Sequence, residues 1–147
     1  MSLKISTGLR DHLLVTGSFK DAVNGGVIRV YSGPVPATAD AALSGNTLLV
    51  TISNNSAGTG ITMNAASASG VLGKNSAEVW SGTVVANGTP TFYRFSSLTD
   101  DFLLSTTAKR VQGAAGSAGF DLNFANTTFV TNEVKRIDTY DIAQPTA

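Results

Sequence analysis

From Val27 to the C-terminus the apolar stretches are short, and Gly, Pro, Asn and Ser separate them. This punctuation constrains the fold more than any other feature, because a strand needs only a few residues whereas a core helix needs a sustained apolar stripe. VIRVY (27–31) is β-branched and aromatic, and the two prolines of GPVPATADA (33–41) stop it and build a loop. In TLLVTI (47–52) alternation predicts Leu48, Val50 and Ile52 on one face, and SNNSAGTG (53–60) is a turn cluster. ITM (61–63) and GVLGK (70–74) read as two weaker strands.

The sharpest local signal is EVWSGTVVANGTPTFYRF (78–95). Asn87-Gly88 between two alternating runs predicts a hairpin closed by a two-residue turn with positive φ at both central positions. That register sets Ala86 opposite Thr89, Val84 opposite Thr91, Gly82 opposite Tyr93 and Trp80 opposite Phe95, with Gly82 leaving room for the Tyr93 ring. Trp80, Val84, Tyr93 and Phe95 then share one face, while Val79, Thr83, Val85 and Phe92 share the other, with Ser81 beside Arg94. Both faces are apolar enough to need cover, from the N-terminal helices or from another subunit. Further on, Phe120, Leu122 and Phe124 alternate with Asp121 and Asn123, TFVTNEVKRIDTYDI (128–142) supplies one or two strands, and Pro145 marks the tail.

The first 25 residues differ. Ser6 or Thr7 caps a short helix whose Ile5, Leu9 and Leu13 fall four apart, with Leu14 widening the stripe and Gly17 ending it. Ser18 and Asp21 form a variant of the capping box for a second helix, which Asn24-Gly25 closes. The expected architecture is therefore all-β: about seven to nine short strands in an antiparallel, jelly-roll-like β-sandwich. One domain spans residues 1–147, and residues 4–25 form a helical segment packed on the sandwich or on a neighbouring subunit.

Composition narrows the chemistry. Of 147 residues 14% are charged, against a usual share of about 25%. Ser, Thr, Asn, Gly and Ala must cover the outside, which suits a protein packed against copies of itself or other proteins. Ten basic and ten acidic residues cancel without long runs, so no electrostatic footprint for nucleic acid is present. The N-terminus lacks the apolar core of a leader, and no apolar run has the length of a membrane span. With no cysteine and a single histidine, His12, disulfides, thiolate chemistry and ordinary zinc sites are excluded. Around His12 nothing resembles a nucleophile with its orienting carboxylate, and Asp100-Asp101, Asp121, Asp138 and Asp141 lack calcium-loop spacing. QGAAGSAGF (112–120) has three glycines at period three. It lacks the Gly-Lys-Ser/Thr ending of a phosphate loop and leads into a strand, so it reads as a β connection with a packing role. Trp80 with Phe92, Tyr93 and Phe95 offers aromatic area for the core, for an intersubunit contact or for a glycan.

KISTGLRDHLLVTGSFKDAV, VIRVYSGPVPATADAAL, EVWSGTVVANGTPTFYRF and RVQGAAGSAGFDLNFANTTFV, in that order from Lys4 to about Asn132, resemble small virion structural proteins of tailed bacteriophages. TNEVKRIDTYDIAQPTA departs from the pattern by its charge. The resemblance implies a non-enzymatic particle component, made in the host cytoplasm and located in the virion, that associates with itself and with capsid, neck or tail proteins. No cofactor, nucleic acid or membrane is expected. A head decoration protein is the leading expectation, with a neck, collar or tail protein and a glycan-binding adhesion module as alternatives. The candidate interface residues are Leu9, Leu13, Leu14, Pro34, Pro36, Trp80, Tyr93 and Phe95, since prolines pre-order a loop and lower its binding cost.

Overall fold

The computed structural model describes residues 3–144; Pro145, expected to mark the tail, lies outside them. In chain order the elements are β1 (Lys4–Ile5), α1 (Thr7–Asp11), a π-turn (His12–Thr16), α2 (Phe19–Val23), β2 (Val27–Ser32), β3 (Thr47–Asn54), β4 (Val71–Gly73), β5 (Trp80–Thr83), β6 (Phe92–Ser96), β7 (Val111–Gly116), β8 (Leu122–Asn123), β9 (Val134–Ile137) and β10 (Asp141–Ala143). One large sheet has the order β1-β7-β6-β2-β3-β5-β9, with antiparallel neighbours throughout, and β8 adds in parallel to β7. β4 and β10 form a separate two-stranded antiparallel ribbon. The protein is mostly β, as its punctuation implies, in one large sheet and a ribbon.

Both N-terminal caps act as their side chains dictate. The Ser6 hydroxyl accepts from the Leu9 amide, and Ser18 and Asp21 complete a reciprocal capping box. The stripe is shorter than expected. Ile5 sits in β1, and after Asp11 the chain widens into the π-turn, closed from the Gly17 amide to the His12 carbonyl. The wider turn breaks the four-residue spacing, so Leu13 stays packed on the core while Leu14 faces solvent.

The expected 87–88 hairpin does not form. β5 pairs with β3 and β9, whereas β6 pairs with β2 and β7, which places the β2–β3 pair between them. Neither Asn87 nor Gly88 has positive φ. Asn87 instead accepts through Oδ1 from the Thr131 amide and hydroxyl, and Gly88 exchanges backbone hydrogen bonds with Phe129. Two-residue turns with both central φ positive occur elsewhere, at Asn55-Ser56 and at Ser69-Gly70. The second joins the Met63–Lys74 and Ala68–Val71 bridges, so ITM and GVLGK do pair. A bulge between Val30 and Tyr31 changes the face assignment in β3: Val50 opposes Val30, Leu48 opposes Tyr31, and the extra residue, Leu49, enters the core.

The core lies on one face of the sheet. Ile28, Val30, Val50, Ile52, Trp80, Tyr93, Phe95 and Val111 meet Leu9, Phe19 and Val23 from the helices, and Ile61, Met63, Leu122, Phe124 and Phe129 from the connections. Tyr140 is the hub of its aromatic part, with ring centroids 5.8 Å from Trp80, 5.9 Å from Tyr93 and 5.9 Å from Phe95. The two tyrosine hydroxyls are 3.1 Å apart, and burial pushes both phenols well above their usual range.

Room for the Tyr93 ring comes from Gly113, its register partner on β7, and not from Gly82. Gly82 serves the backbone instead: a Cβ there would run into the Thr51 carbonyl of β3 and the Val50 side chain. Since a strand backbone cannot yield as a flexible side chain does, Gly82→Ala should destabilise the protein by about 2–3 kcal/mol, measured by denaturant unfolding.

Candidate interaction surface

The second face of the sheet is built differently. Alternation on β2, β6 and β7 turns Arg29, Tyr31, Phe92, Arg94 and Gln112 away from the core, and Arg29, Arg94 and Gln112 are direct neighbours across the three strands. Arg94, Gln112 and the adjoining Arg110 are fully buried. The cover comes from neither the N-terminal helices nor another subunit. It consists of the chain's own irregular segments, residues 33–46 and 97–109.

Those segments have no ladder to satisfy their backbone, and the buried row does it for them. Gln112 accepts from Arg94 Nε at 3.0 Å and donates to the Pro36 carbonyl at 2.8 Å. Arg94 Nη2 donates to the carbonyls of Ala41 (2.8 Å) and Thr38 (3.3 Å), and Arg110 Nη1 donates to those of Asp40 and Ala39. Lys4 reaches the Ala37 carbonyl. Asp40 then closes the circuit by accepting from the Thr7 amide and hydroxyl at the start of α1. In the second segment, Arg29 donates to the Ser97 and Leu98 carbonyls and lies over the Phe102 ring, which meets Tyr31 edge-on. Leu43 to Phe102 and Ser105 to Asp40 backbone bonds join the two segments.

Charge balance in this layer rests on one buried carboxylate, with exposed Asp101 3.8 Å from Arg110 Nη2 beside it. Asp100, whose side chain is 3% exposed, receives Arg110 bidentately, at 2.6 Å from Nη2 and 2.8 Å from Nε. Burial raises its pKa, but the hydrogen bonds from Arg110 and the Phe102 amide, with the Arg110 charge, outweigh that and hold it below the ordinary 3.8. Burial and then the like charge of Arg110 bring Arg94 down to about 10, so it stays ionised at neutral pH. One of its nitrogens, Nη1, is buried without a protein hydrogen-bond partner.

The layer's outer side is apolar at its tips: Leu98, Leu103 and Leu104 are exposed, as are Leu14 and Val15 on the π-turn. Of the residues picked from sequence, Leu14 and Pro34 are exposed and Leu13 and Pro36 are half-buried. Leu9, Trp80, Tyr93 and Phe95 are wholly enclosed in the core and have no surface to offer a partner. Trp80 further spends its indole N–H on Glu78 at 2.9 Å, so it cannot serve as a glycan platform. His12 is half-buried in the π-turn with Nε2 unpartnered. Among the described residues no three His, Asp or Glu gather to hold a metal, and no helix is long and apolar enough to cross a membrane. Val15 and the leucines of FLL (102–104) were missed as contact residues, although three consecutive apolar residues beside Asp100-Asp101 signal a loop that cannot bury them all.

Comparison of the chain with protein-family models, with curated proteins and with solved structures finds no match.

Because Asp100 is the one buried carboxylate that pairs with Arg110, the other, Asp101 at 3.8 Å, being exposed, Asp100→Asn leaves a buried charge and should cost about 3–5 kcal/mol, whereas Asp100→Leu with Arg110→Met should recover most of that loss. A depressed folded-state pKa contributes stability that is complete above 3.8 and lost as pH falls through the lower folded value. Acid titration of unfolding should therefore show a loss below about pH 4 that is smaller in the double variant, in which Asp40 and Glu78, also held below their ordinary values, still contribute.

Proposed function

We propose that the chain is a structural protein of a tailed-bacteriophage particle and, within that class, a head decoration protein that binds the shell in many copies and stabilises it by repeated protein contacts. The observation that carries this reading is the pinned layer of residues 33–46 and 97–109: a long irregular surface, fixed from beneath by buried donors and tipped with exposed leucines. An ordered loop loses little entropy on docking, so its apolar tips convert more of their burial into affinity. A charge-poor exterior adds little repulsion between crowded copies. In this reading the β4–β10 ribbon and the helices stand where the second sheet of a sandwich would be. The chain acts through contact alone, without catalysis or cofactor.

Purified protein mixed with mature capsids should co-sediment with them, and copy number in the particle should run to hundreds. About six to eighteen copies, as the cyclic symmetry of a neck would give, would move the assignment to the neck or tail. Leu103→Asp with Leu104→Asp should weaken capsid binding at least tenfold while leaving thermal unfolding unchanged, since both side chains already face water. Absence from virions, together with no capsid binding, would sink the proposal.

A further inference from the structure

Two sequence pairs, Asn24-Gly25 and Asn87-Gly88, have a chemistry of their own. The backbone nitrogen that follows an asparagine can attack the side-chain Cγ. The bond from Cγ to Nδ2 then breaks, ammonia leaves, and water opens the resulting five-membered succinimide to aspartate or isoaspartate. Closure is fastest before glycine, which has no Cβ to crowd the attacking nitrogen. In an unfolded chain these two pairs are therefore the first to react.

The fold holds both shut. Asn24 accepts through Oδ1 from the Met63 amide at 2.9 Å, and the Gly25 nitrogen donates to the Ile61 carbonyl at 2.9 Å. Asn87 accepts through Oδ1 from the Thr131 amide at 2.7 Å and hydroxyl at 2.9 Å, and the Gly88 nitrogen donates to the Phe129 carbonyl at 3.0 Å. Attack requires the side chain to turn and the N–H to leave its acceptor. At least two hydrogen bonds must open together, which slows closure roughly thirtyfold or more. Asn87 is exposed and still held, so exposure does not decide which site reacts.

Hydrogen bonding singles out a third residue among the ten asparagines. Asn46, Asn64, Asn75, Asn123 and Asn126 also have Oδ1 engaged by a backbone amide. The side chains of Asn54 and Asn132 make no hydrogen bond among the described residues, but the nitrogens that follow them donate to the carbonyls of Val79 and Val130. Only at Asn55 are both the side chain and the following nitrogen, that of Ser56, without a hydrogen bond among the described residues. Asn55 is exposed, at φ 53° in the turn that leaves β3. The bonds that fix this turn spare the reacting atoms: the Ala57 amide donates to the Asn54 carbonyl at 3.0 Å, and the nitrogen of Asn55 itself donates to the Val79 carbonyl at 2.6 Å.

We propose that Asn55 is the site at which the folded protein deamidates, and that Asn24 and Asn87 follow only when the chain opens. The reaction consumes water alone and does not depend on what the chain assembles with. Aspartate at this position keeps the backbone and adds one negative charge to a chain of net charge zero. Isoaspartate adds a backbone carbon between the Val79 anchor and Ser56, whose hydroxyl lies 2.8 Å from that of Ser81 in β5, and so strains the junction of β3 with β5.

Peptide mapping of the full chain, aged in mildly alkaline buffer at body temperature, tests this, with fragmentation that separates aspartate from isoaspartate and a parallel sample in denaturant. Folded protein should accumulate an acidic form converted at Asn55, about fivefold or more ahead of Asn24 and Asn87, the net of their protection and the advantage of glycine. In denaturant the order should reverse. Asn55→Asp, which carries the product charge from the start, should gain no further acidic form while folded, and it should melt above the isoaspartate fraction of aged wild type. Two results would each overturn the proposal: conversion at Asn24 or Asn87 in folded protein as fast as at Asn55, or an intact Asn55 after the unfolded sample has converted at both glycine pairs. Equal melting of the isoaspartate fraction and Asn55→Asp would overturn the strained junction.

Discussion

The row of Arg94, Arg110 and Gln112 converts an edge of the sequence that cannot form secondary structure into a defined surface. Residues 33–46 contain two prolines and several small residues, and left to themselves they would remain in contact with water. Five of their carbonyls instead accept from three buried side chains that project from β6, from β7 and from the residue preceding β7. The arrangement is electrostatically costly, since two guanidinium groups share one well-buried carboxylate and one nitrogen has no partner. A stability-optimised sheet would place apolar residues here. What the polar row supplies is a unique loop conformation, because each donor direction fits only one path of the chain above it.

The two faces of the sheet therefore divide the work. The core face is closed by aromatic packing around Tyr140, where area and ring geometry fix the strands. The opposite face is closed over β2, β6 and β7 by hydrogen bonds to backbone, with the apolar tips outward, and is open over β5 and β9, where Thr83 and Val134 are exposed. The far edge of the sheet is managed by charge: Glu133, Lys135, Arg136 and Asp138 crowd into and around β9, in a chain otherwise poor in ions. This accounts for the charged C-terminal segment that departs from the resemblance. An open strand that exposes Arg136, flanked by Glu133 and Asp138, resists unwanted pairing with a neighbour's edge.

Much of the local chemistry was legible from residues alone. Ser6 and Ser18 cap because their side chains have no better option, and the short β-branched runs form strands because no longer stripe competes with them. The grouping of Trp80, Val84, Tyr93 and Phe95 in one core survived even though the hairpin meant to bring them together did not form. Periodicity had assigned the faces correctly, while pairing depended on contacts distant in sequence. Asn87-Gly88 misled because Thr131 and Phe129, more than forty residues away, claim its polar groups. Leu48 misled because a bulge is a property of two strands together and leaves no trace in one. The arginine row was hidden for a related reason: an arginine alternating with phenylalanines reads as a surface residue until the loop that covers it is known.

The order of pairing also sets how much of the chain each part of the surface depends on. β5 and β6 are consecutive along the chain but dock on opposite sides of the β2–β3 pair, so the sheet is held by pairings distant in sequence. The 33–46 loop closes the pair, yet the side chains that hold it belong to residues 94, 110 and 112, in and beside β6 and β7. The shape of the 33–46 surface is consequently fixed by side chains lying 53 to 76 residues further along the chain, so it depends on the whole sheet and not on the loop's own sequence.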